Sequence, residues 1–327
     1  MKSFELVEAT VLDNKISAEW TDAVDVEIDA AYAFIKTAQP RLAVLAFAKA
    51  RQMVHDLCDH RALENSIQKE RKAYESERNV YTDLLRKRCL SGRPVTIFAD
   101  SLGLPRPDGK TGENLGAETC YSWMLGDALP NRQIISLCQR FLTTSHVLGM
   151  LLADPQLGGG SDVVIHVGLN DCANRMFLEE DRISLSLVSE KLREKLVTFS
   201  RLHRSIIIQH LPPRHYVPPD EFKNNLHNIM GLLKARKALT IVLSTIILPP
   251  PRSWRGTPGM NRNFADYNCA IMNAAHLYDA QLLDIDRHIW WAQRRKPLLD
   301  DGMHLSEVGH GIFALQCAAL IRQPHAV

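Results

Sequence analysis

From Arg93 onward, short and almost wholly apolar runs alternate with longer stretches whose apolar positions recur at helical spacing. The runs 95–99, 133–138, 163–167, 205–210 and 239–247 predict five strands, and 281–285 predicts a further short extended piece. Helical spacing covers 118–129, 144–153, 185–202, 220–237, 264–278 and 306–321. Strands separated by helical stretches form βαβ units and hence a parallel sheet. The continuous triplet Ile206-Ile207-Ile208 suits a strand covered on both faces. The expected fold is α/β, a three-layer sandwich around a five-stranded parallel sheet.

The region before Arg93 reads differently. Residues 8–12 suggest a short strand or extended arm, and from Trp20 to about Leu90 the pattern is helical only. One helix runs 22–38 and stops before Pro40, a helix breaker. A second runs 42–60 and a third 62–89. The third is highly charged, with Leu63, Ile67, Tyr74, Tyr81, Leu84 and Leu85 as a thin apolar stripe. A stripe that narrow suits a helical hairpin or a loose coiled coil. It is read either as a solvated helix packed on its neighbour or as the seam of a homodimer formed through the N-terminal helices. The switch in patterning divides the chain into a helical N-terminal extension, 1–92, and an α/β domain, 93–327.

Composition narrows the function. With 46% apolar and 23% charged residues in 327, the chain is an ordinary globular one. A net charge of +2 gives no argument for nucleic acid or an acidic membrane surface. The seven cysteines are odd in number and contain no C-x-x-C pair, which argues against a disulfide framework and a zinc site. The start, Met-Lys-Ser-Phe-Glu-Leu-Val-Glu, is too charged for a signal peptide. No apolar run reaches the ~20 residues of a membrane span. A cytoplasmic protein is expected.

Candidate chemistry begins at Thr96-Ile97-Phe98-Ala99-Asp100-Ser101-Leu102-Gly103. This places Ser101 just past the carboxyl end of the first strand, the edge where open α/β sheets bind ligands. A serine nucleophile needs a base and an oxyanion site. Two later stretches offer them: Gly168-Leu169-Asn170-Asp171 after the third strand, and Asp301-Gly302-Met303-His304 before the last helix. His304 has a ring suited to proton transfer near neutral pH. Its competitor His310 lies within the helical pattern. Asp301 or its neighbour Asp300 would orient the ring. The Asn170 amide and the Ser101 backbone N–H are candidate oxyanion donors, and Asp171 is read as a structural residue bonding loop amides.

These blocks, in this order over roughly 93–322, resemble the GDSL, or SGNH, hydrolase superfamily. The resemblance implies a flavodoxin-like sandwich with strand order 2-1-3-4-5 and picks Asp301 from the D-x-x-H block. It also exposes departures. The family carries a glycine just past strand two, where this chain reads Ser136-Leu137-Cys138-Gln139-Arg140, and Ala99 stands where the first block has glycine. Cys138 is the nearest match by register and the candidate third oxyanion donor, through its backbone.

Arg106 and Arg175, each five residues past a block residue, are candidates to receive a substrate carboxylate or phosphate, or are solvent-facing. Trp254, Trp290 and Trp291 suit either a sugar platform or core burial. Tyr267-Asn268 reads as packing and loop support. The leading expectation is a serine esterase that cleaves a carboxylic, O-acetyl-type ester on a small molecule or carbohydrate through an acyl-enzyme, with no metal or cofactor. Its alternatives are an O-acyltransferase of polysaccharide modification with the same triad, and a binding protein on a decayed hydrolase scaffold.

Overall fold

The computed structural model describes residues 18–88, 91–106, 115–254 and 256–322. The arm expected at 8–12 lies outside them. The strands are β1 (Arg93–Ala99), β2 (Arg132–Cys138), β3 (Asp162–His166), β4 (Ile241–Ser244) and β5 (Gln281–Leu283). The helices are α1 (Ala18–Lys36), α2 (Pro40–Leu57), α3 (His60–Arg86), α4 (Tyr121–Ala128), α5 (Thr144–Ala153), α6 (Leu169–Cys172), α7 (Glu179–Leu187), α8 (Glu190–Leu202), α9 (Arg204–His210), α10 (Pro219–Ala235), α11 (Met260–Leu277), α12 (Ile285–Trp291) and α13 (Glu307–Arg322). Two compact units result, one of residues 1–69 with 176–213 and one of 70–175 with 214–327.

The second unit holds the sheet. All five strands are parallel, in the order β2-β1-β3-β4-β5. Alternation along β1 sorts its side chains between two cores. Val95, Ile97 and Ala99 face Tyr121, Leu125 and Phe313 from α4 and α13. Phe98 faces the other way, with Val147, Phe222, Leu226 and Phe264 from α5, α10 and α11. Both faces are therefore covered, which is why these strands read as continuous apolar runs.

The run at 205–210, expected as the fourth strand, is the helix α9. The sheet keeps five strands because 239–247 contributes β4 and 281–285 supplies β5. A short apolar run has the same pattern in a buried strand as in a buried helix turn. Ile207 is buried here, and Ile206 and Ile208 pack beside it against helical neighbours in the first unit.

That first unit is all helical as described. Val24, Ile28 and Ala31 of α1 and Val44, Phe47 and Ala50 of α2 share one core with Leu192, Leu196 and Phe199 of α8. Phe47 stacks on Phe199 with ring centroids 5.3 Å apart, and Tyr32 meets Phe199 edge-on at 4.9 Å. Lys195 reaches from α8 to Asp25 at 3.0 Å and Asp29 at 3.1 Å on α1.

Candidate active site

Three chain reversals at the carboxyl edge of the sheet supply the site. The first follows β1. Asp100 caps a single 3-10 turn, Ser101–Gly103, and its Oδ1 accepts the Leu102 N–H at 2.8 Å. That turn carries Ser101 past the strand end. Behind it sits Cys138: a Cβ built on Gly103 would come within 2.5 Å of the Cys138 sulfur. Cys138 is the last residue of β2, in register with Ala99, and fully buried. Burial pushes its thiol up to about 12, so it is a packing thiol rather than a nucleophile.

The second reversal follows β3. Gly168 has φ of 127°, and a Cβ there would come 2.6 Å from Ile246, so only glycine turns the chain tightly enough. The turn opens α6, which carries Asn170 and Asp171, both buried. The Asn170 Nδ2 lies 3.2 Å from the Leu142 carbonyl and 3.4 Å from Asp100 Oδ2. Its Oδ1 accepts from Arg175 Nη2 at 2.8 Å. Asp171 Oδ1 accepts the Thr144 N–H at 2.9 Å and its hydroxyl at 2.6 Å, tying α6 to the start of α5.

The third reversal precedes α13. Leu298 bridges Leu305, and the Leu299 N–H donates to the His304 carbonyl at 2.8 Å. Within this loop Asp301 Oδ1 accepts the Met303 and His304 N–H groups at 2.8 and 2.9 Å. Its other oxygen lies 2.5 Å from His304 Nδ1. The far ring nitrogen, His304 Nε2, is 3.3 Å from Ser101 Oγ across 203 residues of chain. Burial alone would raise the Asp301 carboxyl. The hydrogen bonds from the His304 side chain and from the two loop amides outweigh it and hold the group well below the usual carboxylate range. Asp300 is exposed, and its carbonyl accepts from Arg252. His310 is fully buried, accepts the Tyr121 N–H at 3.2 Å, and is driven down to about 3 by burial.

A cavity of about 250 Å³ opens at this point, lined by Ser101, Asn170, His304, Arg106, Arg140, Arg175, Phe141, Leu169, Ala173 and Met303. Cys138 is not in its wall. The residue after β2 that takes the conformation favouring glycine is Phe141, at φ 58°, three positions further on. The Leu142 N–H closes this turn onto the Gln139 carbonyl at 3.2 Å, which puts Phe141 in the third, left-handed place of the turn. Sequence reading had no signal for Phe141, because a non-glycine residue in that conformation leaves no trace in composition. Beside the wall, burial pushes the Asp100 carboxyl up to about 7 and that of Asp171 up to about 6.

The aromatic candidates separate. Trp254 Nε1 donates to the Pro249 carbonyl at 2.8 Å, and its ring packs on the core. Trp291 is exposed under the Arg287 guanidinium, 4.2 Å from its ring centre. Trp290 lines a neighbouring groove of about 430 Å³ with Pro250, Pro251, Leu298 and Gly302. Asn268 pins the loop after β4 by exchanging hydrogen bonds with the Ile246 N–H at 2.7 Å and carbonyl at 2.8 Å. Among the described residues no group of three or more His, Cys, Asp or Glu side chains is placed to hold a metal ion. Among them, too, no helix is long and apolar enough to cross a membrane.

A doubly covered parallel sheet with these blocks gathered at its carboxyl edge is the scaffold of a serine hydrolase. The family model of the GDSL-like lipases and acylhydrolases matches residues 124–312, more than half of the chain, and the chain belongs to that family. The matched span holds Asn170, Asp301 and His304 and begins after Ser101. No curated protein matches the chain.

Several solved structures are similar in fold. A variant of an acetyl-xylooligosaccharide esterase from Geobacillus stearothermophilus is 16% identical, with 72% of this chain and 97% of that one covered and a TM-score of 0.49. An α/β hydrolase from the metagenome of Lake Arreo, Spain, is 18% identical over 70% and 95%, with a TM-score of 0.48. A lipase/acylhydrolase from Enterococcus faecalis is 15% identical over 70% and 95%, also with a TM-score of 0.48.

Proposed function

We propose that this chain hydrolyses a short-chain carboxylic ester, of the O-acetyl kind, by a Ser101–His304–Asp301 triad through an acyl-enzyme. The observation that carries this reading is the continuous line from Ser101 Oγ to His304 Nε2 at 3.3 Å and from His304 Nδ1 to Asp301 Oδ2 at 2.5 Å. His304 takes the Ser101 proton as Oγ attacks the ester carbonyl, and Asp301 stabilises the imidazolium that forms. The tetrahedral oxyanion is received by the Ser101 backbone N–H and by one N–H of Asn170 Nδ2, which gives up its long 3.4 Å contact with Asp100 Oδ2 and keeps the one to the Leu142 carbonyl. Collapse breaks the bond to the alcohol, which leaves with the proton from His304. Water, deprotonated by the same ring, then releases the acid and restores Ser101. Cys138, away from the cavity wall, has no part in these steps.

The acyl group is small because Phe141, Leu169 and Met303 close a cavity of only about 250 Å³. A carbohydrate as the alcohol half has one observation behind it. Gly302, in the same turn as Asp301 and His304, also walls the groove of Trp290, Pro250 and Pro251, an apolar and aromatic face suited to a sugar ring.

The test combines a fluorophosphonate probe with kinetics. Mass spectrometry should find the probe on Ser101, and Ser101→Ala should abolish both labelling and p-nitrophenyl acetate hydrolysis. Asn170→Ala should lower kcat by about 10²-fold, the effect of losing one oxyanion donor. An unlabelled Ser101 in a protein that still hydrolyses esters would overturn the triad.

A further inference from the structure

The Asn170 side chain has two N–H groups to give, and both are engaged. One meets the Leu142 carbonyl at 3.2 Å and the other meets Asp100 Oδ2 at 3.4 Å. An oxyanion at Ser101 needs one of them. Asp100 Oδ2 is therefore a resident rival of the oxyanion for a single N–H.

How firmly the rival holds that N–H depends on its proton. Asp100 is fully buried, and burial disfavours the charged carboxylate. Its carboxyl accepts from two donors among the described residues, the Leu102 N–H at 2.8 Å on Oδ1 and the long Asn170 contact on Oδ2. The short bond fixes Oδ1 as an acceptor, so a proton taken up by this group goes to Oδ2, the oxygen that faces Asn170. An ionised Oδ2 attracts the Asn170 N–H with full charge. A protonated Oδ2 is a donor itself and has lost that charge, so it releases the amide.

The surroundings leave few other titrations in play. Cys138 at the end of β2, Tyr121 at the start of α4 and Cys172 on α6 are all pushed up by burial and stay neutral. His166 at the end of β3 and His310 on α13 are driven down to about 3 by burial and stay neutral too. Asp301, beyond Ser101 and His304, is held well below the usual carboxylate range and stays charged. Asp171 on α6 is pushed up to about 6. For Asp100 itself, burial is the largest effect and the Asp171 charge adds to it. The Leu102 N–H, Arg175 and Arg106 pull the other way, and the carboxyl is left up at about 7.

We propose that Asp100 serves the reaction as the neutral acid, and that its ionisation reclaims the Asn170 N–H and closes the oxyanion site. This rests on the esterase reading above and adds the regulation of that site. Asp100 is a positioning residue, acting on the reaction through Asn170.

The experiment follows kcat against pH on p-nitrophenyl acetate with the full chain, spontaneous hydrolysis subtracted. Formation and breakdown of the acyl-enzyme both pass through an oxyanion, so kcat reads the effect whichever step is slow. It should rise while the His304 ring loses its proton and fall again on the alkaline side, from about pH 7. The fall should be about tenfold per pH unit, ending about 10²-fold down, at the level of an enzyme without one donor. Asp100→Asn keeps an acceptor for the Leu102 N–H and cannot ionise. Whatever the height of its plateau, its alkaline fall should be absent, whereas loss of a mere turn cap would lower kcat equally at every pH. Asn170→Ala should lose the fall as well, with the rate of fluorophosphonate labelling at Ser101 as readout where turnover is slow. Asp171→Asn removes a neighbouring negative charge, so it should move the fall to lower pH without abolishing it. If Asp100→Asn does not fold, the parent and Asn170→Ala decide.

A flat alkaline side in the parent overturns the proposal, and so does a fall that persists in Asp100→Asn. A fall that persists in Asn170→Ala overturns it too, because Asp100 then acts on the oxyanion without Asn170. In all three cases labelling and turnover at Ser101 leave the esterase reading standing. If Ser101 is neither labelled nor needed for hydrolysis, the esterase reading fails and this proposal fails with it.

Discussion

Arg175 donates to Asn170 Oδ1 at 2.8 Å, and this bond decides which end of the Asn170 amide faces the site. A guanidinium can only donate, so it selects the carbonyl end of the amide. The NH2 end then meets two acceptors, the Leu142 carbonyl at 3.2 Å and Asp100 Oδ2 at 3.4 Å. The chemistry at both ends agrees, so the orientation of Asn170 is set by its partners.

Arg175 is therefore a positioning residue for the proposed oxyanion donor. On a neutral ester, Arg175→Met should lower kcat by about tenfold, part of the value of one donor, with KM little changed because the contact strengthens in the transition state. Arg175→Lys retains a donor and should recover part of the loss. Unchanged kcat in Arg175→Met, with Asn170→Ala still impaired, would mean that Asn170 holds its orientation without Arg175.

A buried carboxylate gives a pH signature. Burial pushes Asp171 up to about 6 from an ordinary 3.8, and its Oδ2 has no partner among the described residues. The folded state binds this proton more tightly than the unfolded state. The contribution of Asp171 is therefore fully present below about pH 4 and is lost as pH rises through about 6. Asp171→Asn keeps the shape and removes the titration. The melting temperature of the variant, relative to the parent, should rise between pH 4 and pH 7 and then level off. A difference that is flat across this range would show that Asp171 does not titrate on folding.

The parts of this arrangement that were legible in the sequence share a physical cause. Strands covered on both faces, as in 95–99 and 163–167, must be apolar throughout, so they stand out. Ser101, Asn170 and His304 stand out because each follows a strand or precedes a helix, where few polar side chains serve packing. Ile206-Ile207-Ile208 was illegible in type, since burial in a short run imposes no period. The shared core of 176–213 with the N-terminal helices was illegible for another reason. An amphipathic face announces that it needs a partner, but does not say which segment supplies one. Phe141 was hidden because its role lies in a backbone angle.

Phe141 allows that angle to be separated from its ring. Its φ of 58° costs an L-residue about 1–2 kcal/mol, while its ring meets Tyr74 at 5.6 Å and Tyr216 at 6.5 Å between centroids. Phe141→Ala removes the ring and keeps the strain, whereas Phe141→Gly removes both. The glycine variant should be more stable than the alanine variant by about 1 kcal/mol in urea denaturation, the usual benefit of glycine at a left-handed position. Both should accept longer acyl chains, with the butyrate-to-acetate ratio of kcat/KM rising by several fold, because the ring closes the cavity wall. An alanine variant equal to glycine in stability would show that the turn relaxes when the ring is gone.

The last prediction concerns what the N-terminal helices do. The division at 92 makes them a detachable extension, yet within their own unit they cover part of the later chain. Leu192, Leu196, Phe199 and Ile207 share one core with Val24, Ile28, Val44 and Phe47. Each such side chain gains about 1.5–3 kcal/mol from burial, so uncovering the set removes more than most domains hold in reserve. A chain beginning at Glu70 should therefore expose this face and aggregate, or bind a hydrophobic dye. Replacing Leu192 and Phe199 by lysine in the shortened chain should restore solubility, because the fault lies in the uncovered face. The same two substitutions in the full chain should unfold the helical unit, seen as lost helical circular dichroism. If the shortened chain is instead soluble, silent to the dye and fully active without them, 176–213 does not depend on the N-terminal helices for cover.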